Sequence, residues 1–423
     1  MNNNIFPSAV GGEIIAPPSK SYMQRAIALA VLSKTPTKIS NLSDCNDCRA
    51  AIGVAKSIGC DVELKNDSLL VNPTSNKLIA KQLHCGESGL ALRMFTPIAA
   101  LFDTKIELSG EGSLTQRPVG FMEETLRQLG VEVESTNGLL PLRVKGPIKG
   151  GKAMVDGSVS SQFLTGLLIS LPTISTNSLL VVDKLTSRPY IDMTLQIMHD
   201  FGVVVEHNNY EQFNIIGNQS YHCEHYRVEG DWSGAASLIV AAAIAGDLKI
   251  KGLNPNSAQA DRAILSVLES TGTKYHFETD NTLIVSKNNN LQPFKFDATN
   301  CPDLFPVLAA LAANCNGKTE ITGVHRLTHK ESNRALAIQT ELGKLGINID
   351  IEDDKMLISG GKINGGTASA CNDHRMAMSL ALCALNASEV VTIEGTECVS
   401  KSYPEFFDDL KAITIYAKIS ENV

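Results

Sequence analysis

Eight basic residues stand at points where a charge needs a reason. Lys20 and Arg25 lie in "PPSKSYMQRA", Arg93 in "GESGLALRMF" and Arg117 in "GSLTQRPVG"; Lys330 and Arg334 lie in "HKESNRA", Arg375 in "NDHRMAMSLAL" and Lys401 in "SKSYPEFF". Arg375 poses the question most sharply. Residues 376–385 read as an apolar, buried helix about three turns long, and Asp373 is a good N-cap or first-turn acid for it. A helix N-terminus carries roughly half a positive charge, so a guanidinium there is mildly repelled. Solvent could take up an exposed arginine. A bound anion would instead welcome both the helix end and the guanidinium. Taken singly, each cation has an ordinary explanation, such as an acid beside Arg93 or a solvated loop around Lys401. Eight at comparable points of an acidic chain predict one pocket for polyanionic ligands.

Other polar groups accompany them. Ser158, Ser160, Ser161 and Gln162 in "SVSSQF" could hydrogen-bond a phosphate or a sugar-like hydroxyl at a helix start, although capping needs only one of them. Asp303 follows Pro302 at another apolar helix start and has no evident partner. It reads either as a favourable first-turn carboxylate or as a general base.

The chain as a whole limits what these residues can serve. Its 423 residues allow two domains. A content of 43% apolar and 19% charged residues suits large cores rather than disorder. The net charge of −8 argues against nucleic acid as a partner, so any cationic site must be local. The start "MNNNIFPSAVGG" has no basic segment followed by an apolar one. The apolar run near 235–246 is too short to span a bilayer. A cytoplasmic protein with no membrane partner is expected. The ten cysteines are irregularly spaced and read as reduced, mostly buried residues. One isolated C-x-x-C (Cys45, Cys48) and the "HCEH" of residues 222–225 are poor metal signatures.

The elements that would position the cations recur. Apolar helices follow Ser19, Ser88, Ser160, Ser233, Pro302 and Asp373, at intervals of 69 to 73 residues. Between them, amphipathic segments end at Gly59, Gly130, Gly202, Gly272 and Gly346, 70 to 74 residues apart. Each glycine suits a left-handed helix C-cap, and alternating strand residues follow most of them. The unit reads as strand, apolar helix, strand, amphipathic helix, strand, strand, and there are six. The last is about 20 residues short, and the N-terminal strand "GEIIA" is expected to complete it. The α/β chain is thereby expected to form two lobes of three units: residues 19–228, and residues 1–18 with 229–423. A ligand cleft is expected between them.

At these residues the chain resembles the 5-enolpyruvylshikimate-3-phosphate (EPSP) synthase family of enolpyruvyl transferases. The motifs "PPSKSYMQRA", "GESGLALRMF", "LTQRPVGFMEETLRQLG", "VSSQFLTGLL", "SRPYIDMT", "HKESNRA", "NDHRMAMSLAL" and "SKSYPEFF" occur in order over nearly the whole length. The resemblance implies two lobes of three βαβαββ units around buried parallel helices, an inside-out α/β barrel. It implies transfer of the enolpyruvyl group of phosphoenolpyruvate to the 5-hydroxyl of shikimate 3-phosphate with loss of phosphate. This is the sixth step of the shikimate pathway towards chorismate and the aromatic amino acids. No metal or organic cofactor is implied, and a monomer is expected.

By the same resemblance, Lys20, Ser21, Arg25, Ser160, Ser161, Gln162, Ser187, Asp303 and Lys330 would hold shikimate 3-phosphate. Lys20, Gly89, Arg117, Gln162, Arg334, Arg375 and Lys401 would hold phosphoenolpyruvate. Asp303 would take the hydroxyl proton, with Glu331 and Lys20 handling protons at C3 and at the leaving phosphate. Two departures stand out. Glu87 and Leu90 occupy a loop where the family has Asn and Thr, and Asn333 replaces a frequent Asp. A carboxylate at Glu87 is compatible with an anion site only if it points away or pairs with a cation. The sibling UDP-N-acetylglucosamine enolpyruvyl transferase usually carries a cysteine shortly before its Arg-Pro. Here "GEGSLTQRP" has none, and Cys85 is the nearest upstream. A non-catalytic anion binder of the same fold is the other alternative. Lys20, Asp303, Glu331 and Arg375 together speak against it, because scaffolding does not need them.

Overall fold

The protein was analysed as a computed structural model that describes residues 1–65, 67–73, 80–328 and 330–415. The chain divides into two compact units, Pro18–Glu229 and Met1–Pro17 with Gly230–Val423. Within each unit, three almost wholly buried helices touch one another. In the first unit these are Lys20–Leu32, Gly89–Ala99 and Ser161–Ser170. In the second they are Trp232–Ala245, Phe305–Ala313 and His374–Leu385.

Their composition explains their place. Ala, Leu, Ile and Gly around the whole circumference leave no polar face for solvent. Small residues let the helices approach closely: a Cβ on Gly166 would lie 2.5 Å from the Met94 carbonyl oxygen of the neighbouring helix. The amphipathic helices between them end at the expected glycines. Gly59, Gly130, Gly202, Gly272 and Gly346 all have positive φ, from 76° to 114°, which a residue with a Cβ adopts only with strain.

Six sheets accompany these helices, each with one parallel pair extended by antiparallel strands. In the first unit, Gln82–His84 runs parallel to Lys105–Ser109 and Gly151–Asp156 parallel to Ser178–Asp183. Each pair is joined by a crossover through a buried helix. Thr37–Ser40 instead takes His225–Arg227, from the end of that unit, as its parallel partner.

That last pairing changes the role of the N-terminus. The strand at 225–227 is already used, so the sheet after Trp232–Ala245 needs another parallel partner. Gly12–Ile15, the strand expected to finish the last unit, fills that place beside Leu248–Lys251. The last sheet is completed by Asn2–Ile5, antiparallel to Val391–Glu394. No described helix is long and apolar enough to cross a membrane.

Candidate active site

Three expected caps of buried helices in the first unit form. Ser19, Ser88 and Ser160 accept hydrogen bonds from the backbone N–H groups of Tyr22, Ala91 and Gln162. Lys20 opens its helix, and its Nζ lies 3.1 Å from Asp47 Oδ2. Ser21 is half-buried one residue on.

Arg25 is 1% exposed. Its guanidinium donates to Thr194 Oγ1 at 3.0 Å and to the carbonyls of Ser21 (3.0 Å) and Tyr190 (3.2 Å). Burial lowers its pKa to about 10, so it stays charged at neutral pH. Arg25 thereby ties its helix to Pro189–Asp200, which begins just after Ser187. Ser187 is buried with φ 58°. The adjoining Thr186 hydroxyl, 3.1 Å from the Gly157 carbonyl, holds this corner beside the 158–162 segment.

A second cluster forms at Gly89. A Cβ there would lie 2.7 Å from Arg117 Nη1, 3.4 Å from Arg93 Nη1 and 3.6 Å from Gln162 Oε1. Arg93 donates to Gln162 Oε1 at 2.8 Å, and its guanidinium lies 5.7 Å from the Phe121 ring centre. Arg93 therefore uses an amide and a ring as neighbours, where the sequence suggested an acid. Glu87 is directed to the Gly112–Gln116 turn. Ser113 Oγ donates to it at 3.5 Å, and its carboxylate oxygens fill the space a side chain on Gly112 would need. The carboxylate that departs from the family pattern thus braces the turn leading into Arg117.

The second unit holds Asp303, Lys330, Glu331, Arg334, Arg375 and Lys401, and it joins them. Arg334 is the hub, 1% exposed. Its Nε donates to Asp373 Oδ2 (2.8 Å), Nη1 to Asp303 Oδ1 (2.8 Å) and Nη2 to Glu331 Oε2 (2.6 Å). Lys330 Nζ is 3.4 Å and Arg375 Nη2 3.5 Å from Asp303. Lys401 Nζ is 3.9 Å from Glu331.

Arg375, which the helix end alone would repel, is buried and donates from Nη2 to Ser233 Oγ at 2.5 Å. Asp373 both caps its helix and neutralises Arg334. Asn333, in place of the family's Asp, caps Arg334–Lys344 through Leu336 N–H. His329 of the same motif lies outside the described residues.

Asp303 is therefore not a first-turn carboxylate. Its helix begins two residues later, at Phe305, and three cations surround it. Burial would raise its pKa, but Lys330, Arg375 and Arg334 outweigh that and hold it well below the ordinary carboxylate range. Burial acts oppositely on Lys330, lowering its pKa to about 8 despite the neighbouring Asp303. The fourth helix start also differs from expectation: Asp231, not Ser233, is the cap. A carboxylate is the stronger acceptor at a helix end, and its use leaves the Ser233 hydroxyl available to Arg375.

Sequence reasoning missed four partners here: Asp47, Asp373, Asp231 and Asp261. Each is a carboxylate near a helix start, a common placement with nothing in it to mark a distant cation as its mate.

The structure is similar to EPSP synthase of Acinetobacter baumannii, with a TM-score of 0.83, 24% identity and 98% of each chain covered. That likeness defines a two-lobe α/β fold. The family model for EPSP synthase (3-phosphoshikimate 1-carboxyvinyltransferase) matches residues 6–410. The chain is 38% identical over 418 residues to the 3-phosphoshikimate 1-carboxyvinyltransferase of Clostridium botulinum strain Alaska E43, covering 97% of this chain and 96% of that protein. The Clostridium acetobutylicum protein of the same name is also 38% identical, with the same coverage. The chain belongs to the EPSP synthase family.

Proposed function

We propose that this protein transfers the enolpyruvyl group of phosphoenolpyruvate to the 5-hydroxyl of shikimate 3-phosphate and releases phosphate. The observation that carries the reading is the carboxylate Asp303 held among Lys330, Arg334 and Arg375, in a chain of this family. Each substrate bears a phosphate of about −1.5 to −2 and a carboxylate, so the pair brings roughly five negative charges to these cations. We read the six sheets and their helices as six copies of one βαβαββ unit, three per lobe with the buried helices inside.

Lys20, Ser21, Arg25, Ser160, Ser161, Gln162, Ser187, Asp303 and Lys330 are assigned to shikimate 3-phosphate. Lys20, Gly89, Arg117, Gln162, Arg334, Arg375 and Lys401 are assigned to phosphoenolpyruvate. C2 of phosphoenolpyruvate is attacked by the 5-oxygen while C3 gains a proton. The tetrahedral intermediate then loses that proton and phosphate, restoring the double bond. Asp303 accepts the hydroxyl proton, and Glu331 and Lys20 serve C3 and the departing phosphate.

Without ligand, Asp303 is too well neutralised to be an effective base. Anionic substrates that engage Lys330, Arg334 and Arg375 would withdraw part of that stabilisation and raise its proton affinity. The base would thus become competent when the site is filled.

Phosphate release that requires both substrates tests the reading. Release with UDP-N-acetylglucosamine as the acceptor would point to the sibling reaction instead.

Two further results are expected. Gly89→Ala places a methyl 2.7 Å from Arg117 Nη1 and must displace that guanidinium. KM for phosphoenolpyruvate should rise by about tenfold or more, the scale of one charge-assisted hydrogen bond, while shikimate 3-phosphate binding in calorimetry changes little. An unchanged KM would take Arg117 out of that subsite.

The second concerns pH. Lys330 loses its charge above about pH 8, so shikimate 3-phosphate affinity should fall by up to about tenfold per pH unit beyond that point. Lys330→Met should flatten the dependence. The stability effect has the opposite sign. The folded-state pKa of Lys330 lies below the roughly 10.4 of an unperturbed lysine. Its burial penalty is therefore complete below pH 8 and is relieved as pH rises towards 10.

A further inference from the structure

We infer that Asp261 is a positioning residue that acts through Ser233 to hold Arg375 in place and keep it from closing onto Asp303. The inference rests on the enolpyruvyl-transfer reading and deepens it.

Asp261 lies in the short turn Ala260–Ala263 and is 3% exposed. The preceding Gln259 fixes that turn against the start of Trp232–Ala245. Its side-chain oxygen accepts from Trp232 N–H at 3.0 Å, and its amide donates to the Gly230 carbonyl at 2.7 Å. Asp231 caps the same helix by accepting from Ser233 N–H at 3.1 Å. The Ser233 side chain is thereby set between Arg375 and Asp261, and it hydrogen-bonds both.

The direction of this relay follows from counting hydrogens. Arg375 can only donate, and it donates to Ser233 Oγ. The single hydroxyl hydrogen of Ser233 is then left for the Asp261 carboxylate. Asp261 thus anchors the guanidinium through one oxygen. On its other side, the same Nη2 lies 3.5 Å from Asp303 Oδ2. Two anionic anchors compete for Arg375, one direct and one relayed. Without the relayed one, the guanidinium would close onto Asp303, tying up both the base and the cation that should meet substrate.

Stability gives no reason to keep this carboxylate. Burial, together with the charges of Asp303 and Asp231, raises its pKa to about 6 against the pull of Arg375 and the Ser233 hydroxyl. The nearby Cys301 thiol completes the titratable groups facing it. The ordinary aspartate pKa is about 3.9. The folded state therefore binds a proton that the unfolded state gives up, and stability falls as pH rises from about 4 to 6 and stays lower above. A buried group that costs stability beside an anion site is one that function would retain.

The test compares Asp261→Asn, Ser233→Ala and the double variant with the wild-type enzyme. Each single variant should lower kcat/KM for phosphoenolpyruvate by about tenfold, the scale of a lost charge-assisted hydrogen bond. The double variant should be no worse than the poorer single one, because both break the same relay. Asp261→Asn should melt at or above the wild-type Tm at pH 7.5, with the gain shrinking towards pH 4.

Multiplying kinetic effects, or a lower Tm with unchanged kcat/KM, would overturn the relay and leave Asp261 a packing residue. A wild type that fails to turn over phosphoenolpyruvate would count against the enolpyruvyl-transfer reading itself. Calorimetric titration with phosphoenolpyruvate in the presence of shikimate 3-phosphate then decides the relay without turnover. Binding weakened in both single variants supports it, and equal binding refutes it.

Discussion

Asp303→Asn should lower turnover by roughly 10²–10⁴-fold, the usual span for loss of a general acid or base. Asparagine keeps the size of the side chain and can still accept hydrogen bonds from Lys330 and Arg334, so the neighbouring cations stay close to their positions. What it loses is the capacity to take a proton from the 5-hydroxyl. Shikimate 3-phosphate binding should suffer far less, because removing a carboxylate from an anion site also relieves repulsion. The variant should lose some stability at neutral pH. The Asp303 pKa is depressed when folded, so its ionised form favours folding above the ordinary carboxylate pKa, and that contribution is lost as pH falls through the lower folded value. Single-turnover kinetics with calorimetry would separate the roles. Near-normal turnover removes Asp303 from the mechanism, and lost binding with intact chemistry at saturation makes it a positioning residue.

The largest stability effect should come from Arg334→Ala. Arg334 compensates Asp303, Glu331 and Asp373 at once, and Asp373 is completely buried. Removing one partner of a buried ion pair leaves charges that water cannot reach, at a cost of about 3–5 kcal/mol. A marginally stable lobe could lose much of its reserve to such a change. Urea unfolding at pH 7.5 should show the loss. It should be smaller near pH 4, where the stranded carboxylates can take up protons. A loss below 1 kcal/mol at pH 7.5 would mean that the acids are already satisfied without the guanidinium.

Local chemistry made much of this scaffold legible. Gly59, Gly130, Gly202, Gly272 and Gly346 could be read as helix ends because a left-handed residue is needed there and glycine supplies it without strain. Ser19, Ser88 and Ser160 could be read as caps because a hydroxyl before an apolar run has one obvious use. The errors lie where a distant partner decides. Gly12–Ile15 has strand character, but its neighbour was settled by His225–Arg227 leaving for another sheet. The helix after Pro302 starts late, with Pro306 in its first turn, and so places Asp303 in the preceding turn. At the site, the cations were visible as misfits. Their acids were not, because Arg334 finds Asp373 across 39 residues and Arg375 finds Ser233 across 142. Asp47, Asp231, Asp261 and Asp373 look like ordinary helix-start acids until the fold sets them against cations.

The most direct test of the central claim uses phosphoenolpyruvate labelled with ¹⁸O in its C–O–P bridge. Attack of the 5-oxygen on C2, followed by loss of phosphate, breaks the C–O bond. The account predicts that released phosphate carries the label, in equal amount to an enolpyruvyl ether of shikimate 3-phosphate identified by mass spectrometry. Label retained on the three-carbon product, or labelled phosphate released without shikimate 3-phosphate and without the ether, would contradict it.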